Sequence, residues 1–222
     1  MSRYDINSNP ALVRNIIEIN KQAQKEYLMT HPESVIPKFE QELRDLGYQF
    51  EIEQQVHCFL PEHKETILPI AVKYYKQAPY EEEKQFFIGL FHYKGFEEVV
   101  PMLLENFYLE ETPSLTRECI GDALLEIRSK KYVGDYIKII SEKKYDKART
   151  PIFMLIGRLK LEQAIPVLKD LVSKSEPEEI YCILRTMKGY KREEFRPYFE
   201  AYVDSQDKEL RKIASSALAK LG

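Results

Sequence analysis

No tryptophan occurs in the 222 residues, and glycine (8) and cysteine (3) are scarce. So few glycines leave nothing to build a phosphate-cradling loop, and no P-loop motif is present. Cys58, Cys119 and Cys182 stand far apart and form no Cys-x-x-Cys pair, so neither a disulfide framework nor a zinc site is expected. Apolar runs are too short to span a bilayer, and the opening MSRYDINSNP is polar rather than a secretory signal. A reducing, cytoplasmic location without membrane contact is therefore expected. Serine, histidine and aspartate occur in no order that suggests a nucleophilic triad. His57, beside Cys58 and followed by His63, has no spacing that sets three ligands on one helical face; neither metal nor cofactor is expected. Glu81, Glu82 and Glu83 read as a solvated corner and helix start rather than paired catalytic acids.

What the chain does have is a repeated phrase. Residues 148–172 form two amphipathic stretches joined by a polar corner. Ile152, Leu155, Ile156 and Leu159 mark one buried face, and Ile165, Leu168, Leu171 and Val172 another, with Lys169 and Asp170 off the stripe. Pro166 falls in the first turn of the second helix, where a missing N–H costs no intrahelical bond. The same apolar–Pro–apolar phrase recurs at Pro37, Pro69, Pro101 and Pro197, and VGDYIKIIS fills one slot with Asp135. Positions 37, 69, 101, 135, 166 and 197 are separated by 32, 32, 34, 31 and 31 residues, a period that marks a helical-repeat protein.

Read in that register, the chain is one continuous domain, 1–222. Its helix pairs span 9–47, 48–78, 80–111, 114–145, 147–174 and 176–205, with a capping helix at 207–222. Asn9 and Pro10 open the first helix, which carries Leu12, Val13, Ile16, Ile17, Ala23 and Tyr27 broadly on one side. Residues 48–60 admit two readings. Tyr48, Phe50 and Ile52 alternate like a strand, whereas Tyr48, Ile52, Val56, Phe59 and Leu60 make a helical stripe; the register assigns a helix. The last helix presents Leu210, Ile213, Ala214, Ala217, Leu218 and Leu221 on one stripe and closes the stack. Thirteen helices result.

A helix ending in LIGRL or ALAKLG, then a corner, then AIPVLKDLV, resembles a HEAT repeat, closest to the short repeats of phycobilisome-lyase-like proteins. The likeness is sharpest over 148–222, fair over 84–147 and weak before 61. It implies an all-α, right-handed α-solenoid of armadillo type, with first helices on the convex side and second helices on the concave side. Such folds serve many functions. With each register position written p, the core takes p−1, p+2 and p+6 and the concave surface takes p+3, p+4 and p+7. The surface offsets select Lys73, Lys76, Leu104, Glu105, Tyr108, Lys138, Glu142, Lys169, Asp170, Glu200 and Asp204. This mixed-sign ridge with a central tyrosine suits a protein partner better than a uniform polyanion.

Charge is uneven along the chain. Against a net −3, residues 1–111 hold 11 basic and 19 acidic side chains, and 112–222 hold 22 and 17. The leading expectation is a non-enzymatic scaffold or adaptor that grips another protein in its concave groove; by analogy, a toxin-neutralising immunity protein has this build. The alternative is a DNA-binding enzyme, because alkylpurine DNA glycosylases are built from HEAT-like repeats. Similarity to them would imply a basic concave surface, aromatic residues at the lesion and an active-site Asp. The lack of Trp and the negative net charge depart from that pattern and disfavour nucleic acid. The only cationic stripe for phosphate lies around Arg185, Lys188, Lys191, Arg192 and Arg196. The lyase-like flavour of the repeats adds a third option, an attachment factor for a chromophore or cofactor.

Overall fold

The computed structural model describes residues 10–51 and 55–221, with side chains from Val13 onward. The chain is all-α: 74% is helix, and among the described residues there are thirteen α-helices and no strand. None of these helices is long and apolar enough to cross a membrane. The chain divides into two compact units, Met1–Leu90 and Phe91–Gly222.

The first unit contains α1 (Pro10–Thr30), α2 (Ile36–Asp45), α3 (Val56–Phe59), α4 (Lys64–Gln77) and α5 (Glu81–Leu90). In α2 the offsets predicted for the core hold: Ile36, Phe39 and Leu43 are buried, with Phe39 fully so. Phe87 and Tyr74 meet the Phe39 ring edge-on at centroid distances of 5.1 and 5.8 Å, a favoured aromatic geometry. In α4, Leu68, Ala71 and Tyr75 occupy the same offsets and are buried. Pro69 is nevertheless inside α4 and not in its first turn, so the proline phrase does not mark every helix start. The stripe expected on α1 is only partly used. Ile17 is buried and Val13 and Tyr27 are half-buried, but Ile16 and Ala23 are exposed; Leu12 lies outside the described side chains.

Residues 48–60 are not one helix. Gly47 (φ +93°) ends α2 in the left-handed region that glycine tolerates, and the Tyr48 N–H donates back to the Leu43 carbonyl at 3.1 Å. Tyr48 then stacks on Phe59 (5.3 Å, 5° between planes), while the Arg44 guanidinium lies 4.6 Å from the Phe50 ring centre. Tyr48, common to the strand and helix readings, and Phe50, from the strand reading, both sit in an irregular loop that folds onto the short α3 through Phe59. Ile52 lies outside the described residues.

The second unit contains α6 (Val100–Tyr108), α7 (Ser114–Ile127), α8 (Val133–Ser141), α9 (Arg149–Leu159), α10 (Ile165–Val172), α11 (Pro177–Tyr190), α12 (Arg196–Glu200) and α13 (Lys208–Leu218). Pro101, Pro166 and Pro197 are each the second residue of their helix, as Pro37 is in α2. In α8 the second residue is Gly134. The sequence register placed Asp135 there, and the structure corrects it by one. Tyr136 and Ile140, not Ile137 and Ser141, are buried in α8. The backbone agrees: the left-handed residues Gly95, Arg128, Lys160 and Lys191 precede Pro101, Gly134, Pro166 and Pro197 by a constant interval. A polar residue in the slot suggested Asp135, but the real substitution is proline by glycine.

Helices α7, α9, α11 and α13 pack in series, each on the next. Close approach is bought with small residues. A Cβ on Gly157 would stand 3.2 Å from both the Cα and the carbonyl oxygen of Thr186, and one on Gly189 would stand 3.1 Å from the Gly157 carbonyl oxygen. Between them the Thr186 hydroxyl lies 2.9 Å from the carbonyl oxygens of both Phe153 and Cys182, sharing its proton. Nearby, buried Arg149 ties three helices. Its Nη1 donates to the Ile140 carbonyl at 3.0 Å and lies 2.6 Å from the Glu179 carboxylate.

Candidate functional site

The ridge residues selected by register fall in both units. In the first, Lys73 Nζ meets Glu42 at 2.5 Å and rests 4.7 Å from the Tyr74 ring centre, and Lys76 is exposed. The other eight of the ten polar candidates belong to the second unit. Leu104, expected on the surface, is buried. It completes the stripe Val100, Leu103, Leu104, Phe107 at i, i+3, i+4, i+7, and a helix this apolar buries the wider face. Tyr108 and Lys138 are brought together, the ammonium 4.4 Å from the ring centre. The Tyr108 hydroxyl donates to Asp135 Oδ1 at 3.1 Å, and burial, then the Asp135 charge, raise its pKa.

Most of the remaining ridge charges are matched within the chain. Glu142 pairs with Lys144 at 2.9 Å, and that hydrogen bond holds its carboxyl below the usual range. Lys169 pairs with Glu194 at 2.5 Å, Asp170 with Lys174, and Glu200 with Arg196 at 4.0 Å. Glu105 and Asp204 are exposed. Matched surface pairs leave little net field for a partner to read.

The basic stripe behaves differently. Arg192 is held by Glu162 at 2.6 Å and Glu194 at 3.1 Å, and Arg196 by Glu193. Arg185, Lys188 and Lys191 instead line a groove of about 520 Å³ between α11 and α13, where they meet Lys212 and Lys220. None of these five cations makes an ion pair among the described residues. Glu209 is the one carboxylate on the groove wall. Lys188 Nζ donates to Ser216 Oγ at 2.6 Å. Burial, followed by the charges of Lys220 and Arg185, lowers its pKa.

Helical periodicity explains the placement. Tyr181, Arg185 and Lys188 lie at i, i+4, i+7 on α11, opposite its buried Ile183, Leu184 and Met187. On α13, Glu209, Lys212 and Ser216 lie at i, i+3, i+7 outward of Leu210, Ala214 and Ala217, and Lys220 continues the stripe in the turn just past the helix. Gly189 also belongs to the groove lining. A second trough of about 360 Å³ between α9 and α11 shares Arg185 and Gly189 with the first and adds Arg158 and Lys160. The sequence reading missed Lys212 and Lys220; the polar stripe along 209–220 was the available signal, but its union with α11 required the packing of two helices far apart in sequence.

Other candidate chemistry is dispersed. Cys58 is exposed, while burial raises the thiol pKa of half-buried Cys119 and Cys182. His63 stands edge-on to Tyr48 at 5.1 Å, and the His57 ring lies beside Gly89. Among the described residues no three His, Cys, Asp or Glu side chains are grouped to hold a metal ion. One acidic residue departs from expectation: Glu81 and Glu82 open α5 as a polar corner, but Glu83 is buried, at 2% exposure. Its Oε2 accepts from the Val35 N–H, at 3.4 Å. No protein-family model, curated protein or solved structure matches the chain.

Proposed function

We propose that the protein is a non-enzymatic scaffold of HEAT-like helix pairs, arranged as an α-solenoid, that holds an acidic segment of a partner protein in the groove between α11 and α13. The serial packing of α7, α9, α11 and α13, each followed by a helix led by proline or glycine except the last, supports the solenoid reading. The observation that carries the binding proposal is the set of five cations, Arg185, Lys188, Lys191, Lys212 and Lys220, facing one carboxylate in a single groove. The ridge on the second helices has the weaker claim, because its charges are largely paired within the chain.

An acidic peptide suits the groove better than a long nucleic acid. The positive charge is concentrated on the two troughs that flank α11, and the whole chain carries −3, which opposes a polyanion running beyond them. Exposed ion pairs contribute roughly 0.2–1 kcal/mol each. Five of them therefore supply about 1–5 kcal/mol, and salt screens most of it.

The test is fluorescence anisotropy of a labelled Asp/Glu-rich peptide at about 50 and about 300 mM salt, alongside labelled single-stranded and duplex DNA of similar charge. The double variant Lys212→Glu, Lys220→Glu, at exposed positions on and just past α13, is compared with the native chain. Peptide binding that weakens with salt and is lost in the double variant supports the proposal. Absence of peptide binding at low salt, or tighter binding of DNA than of peptide, refutes it.

A further inference from the structure

The first unit holds a cavity of about 330 Å³ between α1, α2 and α5, and its walls carry two carboxylates and, among the described residues, no cation. Ala23 and Tyr27 come from α1, Ile36 from α2, and Glu82, Glu83 and Phe86 from α5. Glu83 Oε1 has no hydrogen-bond partner and is closed to water; the Tyr27 hydroxyl is in the same state. The one contact to the Glu83 carboxylate, from the Val35 N–H, is long at 3.4 Å. No cation pairs with Glu83 among the described residues, and neighbouring Lys84 is engaged by Glu81 at 2.6 Å.

A buried carboxylate with a free oxygen is among the costliest arrangements a protein interior holds. Such orphaned groups call for a specific reason. The surroundings indicate which ligand would relieve it. Tyr27 and Phe86 offer aromatic surface, which attracts cations through the ring quadrupole. Tyr27 remains a neutral phenol, its pKa pushed up to about 12 by burial and by Glu83 and Glu82, so its oxygen can accept from an N–H donor. Glu82, which is exposed, adds a second negative charge to the lining. Ala23, Leu28 and Ile36 give apolar surface that suits an alkyl chain, and Asn20 and Gln24 complete the wall.

We propose that this cavity binds a primary alkylammonium group, with Glu83 as counter-ion, the Tyr27 hydroxyl as hydrogen-bond acceptor and Phe86 as an aromatic wall. Glu83 is part of the cavity lining, and its carboxylate turns about a terminal torsion that is broad and low in energy. The group arrives either as a free amine or as a lysine side chain of another protein; the chemistry at the cavity is the same. The inference is independent of the basic groove, which lies in the other unit.

Isothermal titration of the full chain with n-butylammonium, the uncharged alkyl control n-pentanol and an N-acetyl-lysine amide tests it. Saturable binding of an ammonium compound, with pentanol failing to compete, supports the proposal. The tighter of butylammonium and lysine amide then identifies the source. Glu83→Gln should lower the ammonium affinity by roughly tenfold or more while unfolding at the same or a higher temperature, since a buried unpaired charge is removed. If that variant does not fold, Phe86→Leu serves in its place, with an expected loss of about 2- to 30-fold. No saturable binding of either ammonium compound in the millimolar range, equal binding of pentanol, or undiminished affinity in the folded variant overturns it.

Discussion

Proline at position 134 should stabilise the protein, and proline at 135 should destabilise it. Gly134 is the second residue of α8, the place that Pro37, Pro101, Pro166 and Pro197 hold in their own helices. An N–H there has no intrahelical acceptor, so removing it breaks no bond. A Cβ on Gly134 meets nothing within 4 Å. The residue preceding such a proline must be helical, a strained pairing, yet Val100, Ile165 and Arg196 accept it with φ/ψ of −58/−43°, −55/−47° and −47/−51°. Replacing the most flexible residue by the stiffest reduces the entropy of the unfolded chain, worth about 0.4–1 kcal/mol. For a chain of this size that raises the melting temperature by about 1–4 °C. Asp135→Pro removes the carboxylate that accepts the Tyr108 hydroxyl at 3.1 Å and an acidic group from the first helical turn. A hydrogen bond to a charged group is worth about 1.5–3 kcal/mol, with the lower end appropriate because both partners are half-buried. Thermal unfolding followed by helix circular dichroism, with urea titration as a second measure, reads both variants. If Gly134→Pro lowers the melting temperature, or if Asp135→Pro raises it, the corrected register is wrong.

Three further outcomes follow from the packing of the second unit. Gly157→Ala places a methyl 3.2 Å from the Thr186 backbone of the facing helix; the overpacking cost of about 1–3 kcal/mol exceeds the gain of about 1 kcal/mol in helix propensity, so the urea midpoint should fall. Glu179→Gln strands the buried Arg149 guanidinium and should cost about 3–5 kcal/mol, whereas Arg149→Met combined with Glu179→Leu should recover most of that loss in the same titration. Burial lowers the pKa of His92, so the unfolded chain takes up a proton first as pH falls below about 6.5. The contribution of His92 is complete above that pH and is lost as pH drops towards its folded-state pKa. Melting temperature against pH should therefore be flatter for His92→Asn than for the native chain, and parallel curves would remove the assignment.

Much of the fold is legible in the sequence, because the signals that carry it are local. A proline in the first helical turn and apolar residues three and four apart depend on one helix at a time. That is why Ile36, Phe39 and Leu43, or Ile165, Leu168 and Val172, are recovered as core. The failures occur where a local pattern has two solutions. Pro69 fits the phrase but lies inside a helix that starts at Lys64. VGDYIKIIS contains both a glycine and an aspartate that could replace proline, and only the burial of Tyr136 and Ile140 decides between them. Leu104 was misplaced by assuming a narrow buried stripe on a helix apolar enough to bury more. Residues 48–51 were misread because aromatic side chains satisfy a helical period equally well when they fold back on a neighbour, as Tyr48 does on Phe59.

The candidate sites were less legible, because they are defined by what is not paired. Arg185 and Arg192 look alike in sequence; one faces an open groove and the other is held by Glu162 and Glu194. Glu82 and Glu83 are adjacent, yet the second is turned against the Val35 N–H and buried. Composition cannot separate such neighbours, since the difference lies in the partner supplied by another helix. Gly189 connects the two kinds of information. Lacking a Cβ, it lets α11 approach the Gly157 carbonyl, and its backbone also lines the basic groove. A larger residue there would push α11 away from α9, so a loss of binding at position 189 would be mixed with a loss of stability. Lys212 and Lys220 are exposed and lie outside the core, so charge changes at those positions leave the packing alone and are the cleaner probe of binding.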